Sequence, residues 1–475
     1  MRKTKIICTL GPATDDDNVL EALIREGMNV ARMNFSHGTH EQHAERIRKV
    51  REFSKREKKP VAILLDTKGP EIRTGDLKEG KVFLKSGELF TLYAEECLGD
   101  EKGVSITFPE LYKDVEVGSH ILIDDGLIAM QVQEIKDKDI ICKIQNDGWV
   151  SSHKGINIPG VHLNMPYMSK KDKSDILFGI EHKVDFIAAS FVRTSEDVKE
   201  IRAFLDANGG EGIFIIAKIE NMEGVKNIDA IIKHSEGVMV ARGDMGVELP
   251  AEEVPVIQKV IIRKVYEKGK HVVTATQMLD SMMKNPRPTR AEVTDVANAV
   301  YDGTSAIMLS GETAAGKYPV EALRMMVRIA ERTENDINYK HRFEYFAQKS
   351  TNDVTGAISH ATCTTSYDLN AKAIVTVTKS GRSARMVAKY RPDCMIISGT
   401  TEEKVYRQLA LSWGVIPILI EEKNHIFELF DHAIDVAKQK KLVERGDVIV
   451  LTAGVPLGVS GNTNMMKVQI VDEEM

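Results

Sequence analysis

The apolar residues of this chain fall into short, nearly continuous runs at 5–10, 29–35, 61–67, 184–191, 212–220, 237–244, 271–277 and 305–312. A strand covered on both faces must be apolar on both, so runs without polar alternation predict buried parallel strands. The segments between them carry helix signals. Ser169 followed by Asp172, and Ser195 followed by Glu196 and Asp197, each place an N-cap ahead of an amphipathic stretch. Eight strand–helix units are the number that closes a (β/α)8 TIM barrel. An open doubly wound sheet produces the same alternation, and periodicity by itself leaves both open.

One connection breaks the rhythm. Between Thr67 and Val184 the period changes to two, within flanks marked by Lys68-Gly69-Pro70 and Pro159-Gly160. Residues 120–123, an Asp124-Asp125-Gly126 turn and residues 127–132 read as a hairpin, and residues 135–140 as a second. A small all-β domain is therefore expected as an insertion after the third strand. The C-terminal end of that strand faces the mouth of a barrel, so the insertion should sit there as a lid. Past residue 345 the alternation resumes on a smaller scale. Runs at 373–377, 394–397, 415–420, 448–451 and 466–471 predict an open α/β sheet. The expected domains are 1–69 with 167–345 (barrel), 70–166 (lid) and 346–475 (C-terminal).

Composition narrows the class. A chain of 475 residues is too long for one core, and 43% hydrophobic with 28% charged residues is ordinary for a globular protein. A net charge of -6 with no basic stripe offers nothing to attract nucleic acid or an anionic membrane. Any phosphate must be held by a local cluster. Cys8, Cys97, Cys142, Cys363 and Cys394 form no CxxC pair, which suits a reducing cytoplasm. The first apolar run is too short for a signal peptide, and no run approaches the ~18 residues of a membrane span.

Chemistry gathers where the runs end. Arg32, Asn34 and Ser36; Asp66 and Thr67; Lys218 and Glu220; Arg242 and Asp244; Thr276; and Ser310 and Glu312 all sit at C-terminal ends. In a barrel those ends meet on one face. An ionised side chain in an apolar strand costs several kcal/mol unless it is paired or bound to a ligand, so their recurrence points to one shared polyanionic or metal-bound ligand. Lys218 and Glu220 are two apart and leave the same strand face. Glu220 and Asp244 end consecutive strands, and two facing carboxylates repel unless a cation lies between them. Two carboxylates plus substrate phosphate is how Mg2+ is usually held. With Lys218 and Arg32 as fixed positive charge, this outlines a phosphoryl-transfer site. Taken singly, Lys218 with Glu220 reads as a salt bridge, Thr276 as a core hydroxyl and Asp124-Asp125-Gly126 as a plain turn.

At these residues the sequence resembles the pyruvate kinase family. The motifs are residues 7–14 (ICTLGPAT), 29–37 (NVARMNFSH), 66–75 (DTKGPEIRTG), 154–160 (KGINIPG), 217–221 (AKIEN), 241–249 (ARGDMGVEL), 276–281 (TQMLDS), 287–292 (RPTRAE) and 310–314 (SGETA), in family order. The resemblance implies a TIM barrel with an inserted β-barrel lid and a regulatory α/β domain. The implied reaction carries the phosphoryl group of phosphoenolpyruvate to ADP, giving pyruvate and ATP at the end of glycolysis.

It further implies that Glu220 and Asp244 ligate Mg2+ or Mn2+. Lys218 and Arg32 would act on the phosphoryl group, and Gly243 and Asp244 would receive the substrate carboxylate with Thr276. Asn34, Ser36, Asp66 and Thr67 would hold K+. Arg73 and Lys154 would meet the nucleotide with Asn34, Phe35, Ser36 and His37, and Thr276, Ser310 and Glu312 would order the water that protonates the enolate. A Glu at position 71 resembles the K+-dependent members. Residues Thr376, Thr378, Lys379, Ser380, Gly381, Arg382 and Ser383 resemble an effector-phosphate loop for a sugar phosphate or AMP, although such a loop alone is commonly a helix cap. The family is usually homotetrameric. The chain is expected to end near Glu474-Met475 without the further domain of some bacterial relatives. Two rivals stand beside this reading. One is another barrel enzyme acting on phosphoenolpyruvate or an oxoacid, which needs no lid or nucleotide site. The other is a non-catalytic phosphometabolite sensor, which needs no Lys218, Glu220, Asp244 and Thr276.

Overall fold

The structure is a computed structural model describing residues 2–347, 353–457 and 461–472; the expected chain end at 474–475 lies outside them. Eight parallel strands close into a barrel: β1 (Lys5–Leu10), β2 (Val30–Asn34), β3 (Ala62–Asp66), β4 (Phe186–Ala189), β5 (Phe214–Ile219), β6 (Gly237–Ala241), β7 (His271–Ala275) and β8 (Ala306–Leu309). Neighbours in sequence are neighbours in the barrel, and β1 pairs with β8. The open-sheet alternative is thereby excluded. Apolar side chains form two shells, as strands buried on both faces require. One shell, including Ile7, Leu64, Phe186, Ile216 and Met239, fills the barrel; the other, including Ile63, Ile187, Val238 and Leu323, lies between strands and helices.

Several strands stop short of the polar residues read as their ends. The run 237–244 is strand only to Ala241, after which Arg242–Glu248 is helical. Asp244 therefore stands on the first turn of a helix. Glu220 lies one residue past β5, and Glu312 sits in the short helix Gly311–Ala314. A side chain that must face a ligand leaves the ladder where the backbone is free to turn. The helix read as capped by Ser195 is capped instead by Thr194, whose hydroxyl accepts from the Glu196 N–H while Asp197 reaches back to the Thr194 N–H. Thr194 keeps extended backbone, as an N-cap does. Ser169 caps its helix with Asp172 as expected.

The insertion is a seven-stranded sheet with a separate two-stranded ribbon. Both expected hairpins are present, joining His120–Ile123 to Ile128–Lys136 and the latter to Asp139–Ile144. A bridge between Thr74 and Ile106, with the Thr107 N–H donating to the Arg73 carbonyl (2.9 Å), draws the two edge strands together. The sheet thus curls back on itself around its own core, which includes Phe90, Ile121 and Met130.

The C-terminal sheet holds β9 (Ala373–Val377), β10 (Met395–Thr400), β11 (Val415–Leu419), β12 (Val448–Ala453) and the antiparallel edge β13 (Met465–Ile470). It docks on the N-terminal end of the barrel, where Leu411 joins the inner shell. There Asp185 takes Arg51 (3.0 Å) and, from the C-terminal domain, Arg407 (2.9 Å). The Lys5 amine donates to the Val415 carbonyl (2.7 Å). No helix among the described residues is long and apolar enough to cross a membrane.

Candidate active site

The ends of β2, β3 and β5 build a buried ionic knot. Residues 32 and 34 of β2 lie opposite 64 and 66 of β3. That register lets the Arg32 Nε donate to Asp66 (2.6 Å) while its Nη1 reaches the Thr9 hydroxyl (3.0 Å). From β5 the Lys218 amine meets Asp66 (3.2 Å), Glu220 (3.0 Å) and the Ser190 hydroxyl (2.8 Å). Burial opposes the charge on Asp66, but Arg32 and Lys218 outweigh it and hold the carboxyl below its usual range. Burial likewise pulls the Lys218 ammonium down, and Asp66 and Glu220 reverse this and raise it. Lys218 is thus a fixed cation.

Glu220 is held differently. One oxygen faces Lys218 and the other accepts from the Phe191 N–H. Burial and the nearby charge of Asp244 push its carboxyl up, against Lys218. A buried carboxylate raised by a neighbouring carboxylate suits a divalent cation between the two. Among the described residues no group of three or more His, Cys, Asp or Glu could hold a metal. Glu220 and Asp244 offer two carboxylates, and Mg2+ held through one or two carboxylates takes its remaining ligands from substrate and water.

Thr276 follows β7 with a positive φ of 68°, and its hydroxyl accepts from the Gly243 N–H (2.8 Å) while donating to the Ala275 carbonyl (2.6 Å). Arg242 fixes this corner by donating to the Thr276 carbonyl (2.7 Å) and pairing with Asp295 (2.6 Å). Glu312 accepts from the N–H groups of Leu279 (3.0 Å) and Ser310 (2.7 Å), and burial pushes its carboxyl up. The Ser310 hydroxyl is buried without a partner.

Between barrel and lid opens a cleft of about 590 Å3 whose walls include His37, Glu71, Arg73, Asp124, Lys154 and Asp244. Arg73 is paired with Glu71 (2.7 Å) and Lys154 with Asp124 (3.0 Å). The Asp124-Asp125-Gly126 turn is a hairpin turn as expected, and it also faces this cleft. Asn34 and Ser36, unlike His37, do not line the cleft; the Asn34 side-chain oxygen accepts from the Ser36 N–H (3.1 Å). Asn34 pairs with Asp66 across the strands, and Thr67 follows, so the four oxygen-bearing residues proposed for K+ are adjacent. Phe35 is not brought to the cleft: it is 1% exposed and stacked on His43, because alternate positions on the turn point into the core. Ser190 escaped the sequence reading, although it ends its run as the other site residues do.

In the C-terminal domain Thr378, Lys379, Ser380 and Ser383 line a crevice of about 100 Å3 with Thr400 and Asn462. Gly381 turns the chain at φ 74° into the helix Arg382–Ala388. The Thr376 hydroxyl is spent inside the sheet, donating to Ser398 (2.9 Å).

Comparison with known proteins bears on the whole chain. The family model described as pyruvate kinase, barrel domain, matches residues 1–323, and that of the pyruvate kinase alpha/beta domain matches residues 356–469. Pyruvate kinase of Clostridium acetobutylicum is 52% identical over 99% of this chain and 100% of its own length. That of Geobacillus stearothermophilus is 52% identical over 99% of this chain and 81% of its own. A crystal structure of a pyruvate kinase from Cryptosporidium parvum superposes with a TM-score of 0.93 at 42% identity, covering 99% of this chain and 96% of that one. Barrel, lid and C-terminal sheet are thus matched together in sequence and in shape, and the chain belongs to the pyruvate kinase family.

Proposed function

We propose that the ionic knot and the cleft beside it carry out the family's reaction: the phosphorus–oxygen bond of phosphoenolpyruvate breaks, a new one forms to the terminal oxygen of ADP, and the enolate left behind takes a proton at carbon. The observation that carries this is the buried Lys218 ammonium, fixed between Asp66, Glu220 and Ser190, whose chain neighbours Phe191 and Asn221 line the cleft. Lys218 and Arg32 hold the phosphoryl oxygens as charge shifts from one oxygen to the other, a role for preorganised charge in a site without free water. Thr276 and the backbone of Gly243 and Asp244 orient the substrate carboxylate. Arg73 and Lys154 exchange Glu71 and Asp124 for nucleotide phosphates, and closure of the lid excludes water. Thr276, Ser310 and Glu312 order the proton donor. Mg2+ or Mn2+ on Glu220 and Asp244, and K+ on Asn34, Ser36, Asp66 and Thr67, supply charge neutralisation when bound.

The reading extends to a division at 69/70, 166/167 and 345/346, a cytoplasmic homotetramer, and a phosphorylated effector, a sugar phosphate or AMP, held by the 376–383 loop. Separate cores in barrel, lid and C-terminal sheet support the division. A coupled assay that follows pyruvate from phosphoenolpyruvate, ADP, Mg2+ and K+ tests the function. Phosphoester turnover without ADP would favour another barrel enzyme, and no turnover would favour a sensor.

A further inference from the structure

We propose that a single monovalent anion of halide size binds between the base of the barrel and the C-terminal domain. His271 opens β7 there, and Ser305 precedes β8. From the other side come Arg385, Arg391 and Ser412, and the three together with His271 and Ser305 line a cavity of about 10 Å3.

Three polar atoms on this cavity are buried with no hydrogen-bond partner: His271 Nε2, Arg391 Nε and Ser412 Oγ. Their residues are 3%, 3% and 2% exposed. Buried polar atoms are almost always satisfied, and each exception calls for a missing partner. Three on one small cavity, out of nine such atoms among the described residues, call for one shared partner.

Charge decides what that partner is. No Asp or Glu lines the cavity, whereas Arg385, Arg391, Lys270 and Lys389 do. The remaining nitrogens of Arg391 bond only neutral oxygens: Nη1 the Ala388 carbonyl (2.9 Å), Nη2 the Gly303 carbonyl (2.9 Å) and the Ser305 hydroxyl (3.4 Å). Its guanidinium lies 4.6 Å from the Trp413 ring centre and 5.1 Å from that of Tyr266. An unpaired buried cation is strongly unfavourable, and an anion relieves it. Size selects the class. About one water-sized body fits, so a phosphate or carboxylate metabolite does not, and a monatomic ion does. The site is separate from the effector crevice, with which it shares no lining residue.

Crystals of the full chain grown with potassium bromide test this directly. A bromine anomalous peak within hydrogen-bond distance of Arg391 Nε and Ser412 Oγ is expected. In solution, the unfolding midpoint of the wild-type protein should rise with the logarithm of chloride when potassium gluconate is replaced by potassium chloride at constant ionic strength. Ser412→Ala should flatten that rise. Water density without a bromine peak, or a midpoint indifferent to chloride, overturns the proposal from the wild-type protein alone, whether or not the variant folds.

Discussion

At the scale of single residues, Lys218 carries the sharpest expectation. Its ammonium is held by two carboxylates and a hydroxyl, so it needs no rearrangement to meet a phosphoryl group. Lys218→Met should lower kcat by about 10²–10³, the usual cost of removing preorganised charge from a transition state, and steady-state kinetics check it. Ser190→Ala should lower kcat by roughly tenfold, since it removes one hydrogen bond to a charged group while leaving the charge in place. A KM for ADP unchanged in both variants would separate this from damage to the lid. Activity should also require K+, the expectation attached to Glu71, and full turnover in Na+ or a bulky organic cation alone would refute it. Most of this site was legible because Arg32, Asp66, Lys218 and Glu220 interrupt apolar runs, where charge has a high cost. Ser190 was not, because a small hydroxyl at a strand end is compatible with an ordinary core. The counter-ion role of Asp66 was also hidden: its partners come from β2 and β5, and pairing across a barrel has no trace in linear spacing.

At the scale of elements, the existence and order of the strands followed from apolar runs, while their ends did not. A run read from residue types does not mark the last ladder bond, and residues 242–244 are half-buried and already helical. The same limit moved a helix start by one residue. Ser195 and Thr194 are both good caps by residue type, but only Thr194 has extended backbone at φ -140° with Asp197 three residues on to complete the box. Thr194→Ala should therefore cost about 1 kcal/mol of stability, and Ser195→Ala less than about 0.5 kcal/mol, as at an ordinary surface position. Denaturant midpoints measured side by side decide it, and equal losses would return the cap to Ser195.

At the scale of the molecule, the barrel base is joined to the C-terminal domain by buried charge, and that has a consequence for pH. Lys5 opens β1, and its amine reaches across to the Val415 carbonyl. Burial, helped by Arg2, pushes the Lys5 ammonium down to about 7 from 10.5, against the pull of Glu334. In the unfolded chain the amine keeps its ordinary value, so between about pH 7 and 10.5 the unfolded state binds more protons than the folded one. Stability then rises with pH across that window from this group, because protonation favours the unfolded chain, and below about 7 the contribution is flat. Buried tyrosines and cysteines whose values are raised, such as Tyr339 and Cys363, act in the opposite direction at alkaline pH. The total slope is thus a sum, and the informative quantity is the difference between wild type and Lys5→Met. That variant keeps the stem of the side chain and removes the proton. Its stability relative to wild type should be most favourable near pH 7 and decline steadily toward pH 10, read from denaturant midpoints at fixed ionic strength. A difference constant over that range would mean that Lys5 stays charged in the folded protein and that another anion at the domain junction compensates it.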